Sequence, residues 1–233
     1  MPTPVLLNNV EHKDLRVITQ RGAAYGDQLM AVATFPAEFR DVQACYPIVF
    51  HKTTDGVGFE PLALFGFQDG ENLFLQGDRW DAAYVPMMVE RQPFLIGVNG
   101  SELMVNVDLD HPRVSRTEGE EVFKPHGGTT DYLDRTNSLL FAIHEGMLAL
   151  PGFLHALLEN ELLESFTLDV ELNDGSQNRL LGFYTINEDR LQTLSAEAIA
   201  KLHQAGYLQS IYMVLASLSN FRMLIDRKNA SLA

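Results

Sequence analysis

The hydrophobic period changes midway along the chain, and that change limits the fold more than any single motif. Up to about residue 110, apolar residues come in short runs punctuated by Gly and Pro. Beyond residue 131 they recur at the helical spacing of three to four. The first half therefore predicts strands over 15–18, 29–34, 46–51, 62–67, 72–75, 94–98 and 103–107, rich in Val, Ile, Phe and Tyr. Pro36 opens a short helical stretch over 36–44, with Glu38 and Asp41 complementing the helix start. Asp55-Gly56 and Asp69-Gly70 predict tight turns between antiparallel neighbours.

The second half predicts a helix over 131–150, an interruption at Pro151-Gly152 and a restart over 153–163. A hairpin over 166–172 and 180–186 turns through Asn173-Asp174-Gly175. Ser195 caps a further helix, Gly206 ends it, and a last helix over 207–225 presents Leu208, Ile211, Tyr212, Leu215, Leu218 and Leu224 inward. Short strands followed by helices give α+β, with a mostly antiparallel sheet in the N-terminal half and helices concentrated in the C-terminal half. The expected organisation is one domain over 1–233. Its possible subdivision is a strand-rich part (1–110), a loop (111–130) and a helix-rich part (131–233). No internal repeat is visible, and the glycine-rich loops that cradle phosphates are absent.

Charge narrows the partners. The chain carries 17 Lys and Arg against 31 Asp and Glu, a net −14, with acids in excess in both halves. Such a surface repels a phosphate backbone on average, so nucleic acid is not an expected partner. The N-terminus MPTPVLLNNV has neither a basic segment nor a continuous apolar one. No continuous run approaches the roughly 18 apolar residues that span a bilayer. Cytoplasmic residence without membrane insertion is the expectation. Signal-less export to the cell surface is the alternative, and a homo-oligomer is compatible with either. One cysteine rules out an internal disulfide. Cys45, between a helix and an apolar strand, reads as a buried, inert thiol.

Two groups of residues could carry function. The first surrounds the only tryptophan, in Arg79-Trp80-Asp81-Ala82-Ala83-Tyr84-Val85-Pro86. A guanidinium can stack on an indole and also bind a carboxylate. With Phe39, Arg40, Tyr46, Asp81, Tyr84 and Arg91, the segment reads as an aromatic and arginine-rich pocket for a peptide, protein or small ligand. The competing reading is a polar network that pins a loop to the core. The second group is Asp108, Asp110 and His111, with His126 as a further donor. Strand alternation would aim both carboxylates one way and suit a divalent metal; the plainer reading is a strand running out into a polar turn. No nucleophile elbow or HExxH helix occurs, so no catalytic residues and no cofactor are assigned.

The segments Phe35-Pro36-Ala37-Glu38-Phe39-Arg40, Tyr46-Pro47-Ile48-Val49-Phe50, Gly70-Glu71-Asn72-Leu73-Phe74 and the tryptophan segment above, in this order, resemble the SapC family of bacterial proteins. Arg91-Gln92-Pro93-Phe94, Leu215-Ala216-Ser217-Leu218-Ser219-Asn220-Phe221 and His12-Lys13-Asp14-Leu15-Arg16 continue the resemblance, while 110–130 departs from it. The resemblance implies an accessory role. The family name refers to a paracrystalline surface layer that confers serum resistance. Similar genes sit near outer-membrane receptors, halogenase-like enzymes and iron-dependent hydroxylases. The family offers no established catalytic residues to carry over. Three functions follow as expectations: a non-catalytic binding protein, a metal-dependent modification enzyme and a surface-layer component.

Overall fold

A computed structural model describes residues 4–100 and 102–232. In chain order the first elements are β1 (Pro4–Leu6), β2 (Arg16–Val17), a 3-10 turn (Ala23–Tyr25), β3 (Ala31–Ala33), α1 (Phe39–Val42), β4 (Ile48–Lys52), β5 (Phe59–Leu64), β6 (Leu75–Gln76) and β7 (Arg79–Trp80). Then come α2 (Met87–Glu90), β8 (Phe94–Asn99), β9 (Glu102–Asp108), β10 (Val114–Ser115), β11 (Glu120–Glu121), α3 (Asp131–Glu159), β12 (Leu163–Glu171) and β13 (Gln177–Ile186). The last elements are α4 (Glu188–Gln192), α5 (Ala196–Gln204), α6 (Tyr207–Ser217) and α7 (Asn220–Ser231). The protein is α+β, with antiparallel strands mostly in the N-terminal half and helices gathered in the C-terminal half.

The chain forms two compact units that do not follow the 110/131 subdivision. The first comprises Met1–Asp27, Leu75–Trp80 and Met87–Glu145; the second comprises Gln28–Phe74, Asp81–Pro86 and Gly146–Ala233. In the first, β9 lies between β1 and β8, and β2 lies between β10 and β11, all antiparallel. The 110–130 segment thus contributes two short strands that clasp Arg16–Val17. Its core joins Leu15, Val17, Phe94, Val107, Val122, Leu133 and Leu140. They come from β2, β8, β9, the segments beside them and the start of α3.

The second unit is built on a five-stranded sheet of order β12-β13-β4-β5-β3. Phe35, Phe39, Phe50, Phe65, Phe74 and Phe153 are fully buried in it, each worth roughly 1.5–3 kcal/mol of transfer free energy. The ring of Phe35 lies so close to α3 at Gly146 that a Cβ there would stand 2.2 Å from a ring carbon. Glycine is the only residue this approach admits.

Two helical expectations are corrected. Pro151 lies inside α3, which runs unbroken to Glu159. The residue withdraws one N–H from the ladder, a local cost of about 3 kcal/mol that does not end the helix. The last helix is in fact two, α6 and α7, broken at Leu218 and Ser219. Tyr212 points to solvent, while Ile211, Val214 and Leu224 face inward. The expectation that no stretch is long and apolar enough to cross a membrane also changes. By length and composition, Asp131–Glu159 and Tyr207–Ser231 both qualify, and most of either stretch is not buried. Isolated polar residues such as His144 and Glu145 interrupt a continuous apolar count without interrupting a helix.

Candidate functional site

Burial moves the aromatic group from a surface pocket to the interior. Phe39 is fully buried, its ring edge-on to Phe153 at 5.9 Å. Tyr46 is fully buried between Phe65 (5.1 Å) and Phe74 (4.7 Å). Trp80 is 7 % exposed, at the end of the β6–β7 hairpin in the first unit, opposite Leu75. Arg40 and Arg79 are exposed, and Arg91 is half-buried, donating to the Phe94 carbonyl at 2.8 Å. Burial holds the Arg91 guanidinium below its usual basicity. Rings with almost no exposed surface cannot line a groove in this conformation, so the expected receptive surface around the indole is corrected on that ground.

What these residues do instead is visible in the second unit. Glu38 is fully buried and its carboxylate accepts from Thr34 Oγ1 at 2.7 Å and from the Tyr84 hydroxyl at 2.9 Å. Burial, then the Glu38 charge, drive the Tyr84 phenol well above its ordinary range, so it remains a donor. The Tyr46 hydroxyl donates to the Tyr84 carbonyl. Asn220 Nδ2 donates to the carbonyls of Gln43 (2.7 Å) and Tyr46 (3.1 Å), and Ser217 Oγ accepts the Ile48 N–H at 2.9 Å. Asp81 receives Arg227 Nη1 at 2.9 Å, and that guanidinium stacks on Phe74 at 4.5 Å. Within the second unit, the stretches around Glu38, Tyr46, Tyr84 and Ser217–Asn220 are therefore tied together by buried and half-buried hydrogen bonds.

The acidic group in the first unit does not converge either. β9 ends at Asp108, whose Oδ1 accepts the Asp110 N–H at 3.2 Å. This turn breaks the alternation that would have aimed both carboxylates one way. His111 has both nitrogens engaged. Its Nδ1 accepts the Arg113 N–H at 3.2 Å, so Nε2 carries the proton and faces Gln92 Oε1 at 3.1 Å. Burial first, then the Arg113 charge, hold its pKa below the ordinary 6.5. His126 lies exposed in the loop. Among the described residues no three His, Cys, Asp or Glu side chains come together to hold a metal ion.

The first unit does hold an open cleft of about 490 Å³. Its apolar wall is Val17, Ile18 and Leu139. Tyr132, Arg135, Thr136 and Leu139, spaced at i, i+3, i+4 and i+7, bring one face of α3 to it. The floor is an ion-pair strut. Asp27, fully buried, accepts from Arg113 Nη2 on both carboxylate oxygens, each at 2.7 Å, and also accepts the Gly22 N–H at 2.8 Å. Arg113 Nη1 donates to the carbonyls of Ile18 and Gln20, each at 2.8 Å. Arg21 pairs with Glu90 and reaches Asp27 at 3.7 Å. Burial, reinforced by Glu90 and Glu120 and opposed by the Thr136 bond and Arg113, pushes the Tyr132 phenol up to about 12. It is a hydroxyl donor at neutral pH.

Sequence reasoning missed this site. Asp27 and Arg113 are 86 residues apart and neither sits in a recognisable pattern. The only signal was the long 110–130 segment, which supplies Arg113 and Glu120.

The family model SapC matches residues 7–224 of the chain. No curated protein and no solved structure matches it.

Proposed function

The chain belongs to the SapC family, and from that premise we propose that it is a non-catalytic binding protein whose small ligand enters the cleft of the first unit. The carrying observation is the floor of that cleft, where charged groups satisfy one another inside a concavity of ligand size. Glu90 is taken by Arg21, and Asp27 by Arg113, whose own N–H holds His111 as a neutral acceptor. Groups committed in this way fix the shape of a site and are poorly placed to exchange protons with a substrate. A few convergent polar groups beside an apolar wall are the ordinary composition of a small-molecule site.

The test is ligand-observed NMR with a mixed library of small organic acids, amines and alcohols, comparing the natural chain with Thr19→Trp. Thr19 is exposed and lines the cleft, so an indole there fills the opening without disturbing the core. Hits on the natural chain that vanish in the variant, at unchanged melting temperature, support the reading. An absence of hits, or hits equal in both, overturns it.

A further inference from the structure

We propose that the cleft takes an organic monoanion, its acidic group held by Arg135 and its apolar body along Val17, Ile18 and Leu139. This rests on the reading of the cleft as a ligand site. Of the three arginines that line it, Arg113 is spent on Asp27, and Arg21 on Glu90 and Asp27. The Arg135 guanidinium has no hydrogen-bond or ion-pair partner among the described residues. It projects from the same helix face as Tyr132 and Leu139, between a phenolic donor and an apolar wall.

The surroundings reinforce the sign. Two further hollows share this unit. Arg135 and Glu120 line the adjoining one together with Arg16 and Lys124, and Lys13, Arg16 and Arg116 line the other. The three concavities together hold seven of the chain's 17 cations but only five of its 31 acids. On a protein of net −14, these concavities carry a local excess of positive side chains, which offsets the general repulsion of a negative solute. Glu90 and Glu120 line the same cleft and limit the charge it tolerates. Glu90 is already neutralised by Arg21, whereas Glu120, with no side-chain partner among the described residues, repels a second negative group. One acid with an apolar tail therefore fits, and a polyanion does not.

The experiment uses two probes of matched shape, 4-phenylbutyrate and its neutral amide 4-phenylbutyramide, titrated against the full chain by ligand-observed NMR. The natural protein is expected to bind the acid at least fivefold tighter than the amide. Arg135→Gln, an exposed position, is expected to bring the acid down to the amide's affinity and leave the amide within twofold. Inorganic pyrophosphate is expected not to displace the acid. Equal binding of acid and amide by the natural chain, a preference that survives Arg135→Gln, or displacement by pyrophosphate each overturns the proposal. Thr19→Trp separates the two levels. If it weakens both probes tenfold or more while the charge preference is absent, the cleft stands and the anion does not. If it weakens neither, the cleft reading itself fails.

Discussion

Among the described residues each unit buries one acid completely, and the two acids are treated differently. In the second unit Glu38 is met by hydroxyls, from Thr34 and Tyr84. In the first, Asp27 is met by a guanidinium that also ties down two backbone carbonyls. Hydroxyl donors add no charge and let aromatic rings close over them. That unit is accordingly sealed around Phe39, Tyr46 and Phe74. An arginine brings a long, wide side chain that must be desolvated along its length, and Arg113 links its own segment to Ile18–Gln20 through Nη1 and to Asp27 through Nη2. The cleft opens above that strut. The comparison teaches that one unit spends its buried polar groups on closing a core and the other on propping a concavity.

The strongest way to break this comparison is Asp27→Ala. It strands a buried guanidinium, a loss of about 3–5 kcal/mol. Hydrogen exchange is expected to show deprotection concentrated in 15–18 and 113–122, with β4, β5 and β13 retained. A loss spread evenly over both units would mean that the strut is not local to the first. Next in size is Tyr84→Phe, which removes one donor from Glu38 and is expected to cost about 1–3 kcal/mol in denaturant unfolding. It should leave probe binding in the cleft unchanged; a change there would blur the division of roles.

Smaller still is Ser195→Ala. Its hydroxyl accepts the Ala198 N–H at 3.2 Å as the cap of α5. The expected loss is about 1 kcal/mol, again without effect on the cleft. The smallest effect is a pH dependence. His111 is held below its ordinary 6.5, so the unfolded chain takes up a proton first as pH falls. The stability it contributes is complete above pH 6.5 and declines as pH drops below that value toward its folded pKa. His111→Asn is expected to flatten the melting-temperature profile in that window relative to the natural chain. Superimposable profiles would show that the imidazole is not the titrating group.

Much of this architecture is legible before any coordinates. The strands around β4, β5, β8 and β9, the β12–β13 hairpin and the cap at Ser195 follow from period, β-branching and turn residues. The burial of Cys45 follows from its apolar flank. Pro151 shows where local rules lose, because neighbouring turns outweigh one missing hydrogen bond. The aromatic segment shows a different limit. Its residues are unusual enough to notice, but Trp80 and Tyr46 look the same in a string whether they face solvent or a core. Of the cleft, only the long 110–130 segment, which supplies Arg113 and Glu120, stood out in the sequence.

By itself the amino-acid order determined most of the elements, the fold class and the family, because hydrophobic period, caps and turns act over a few neighbouring residues. The tertiary structure alone decided that Arg113 meets Asp27, that Arg21 meets Glu90 and that the indole is interior. Those outcomes depend on which surfaces are desolvated when distant segments pack. Desolvation is a property of the assembled neighbourhood, and no single stretch of the chain carries it.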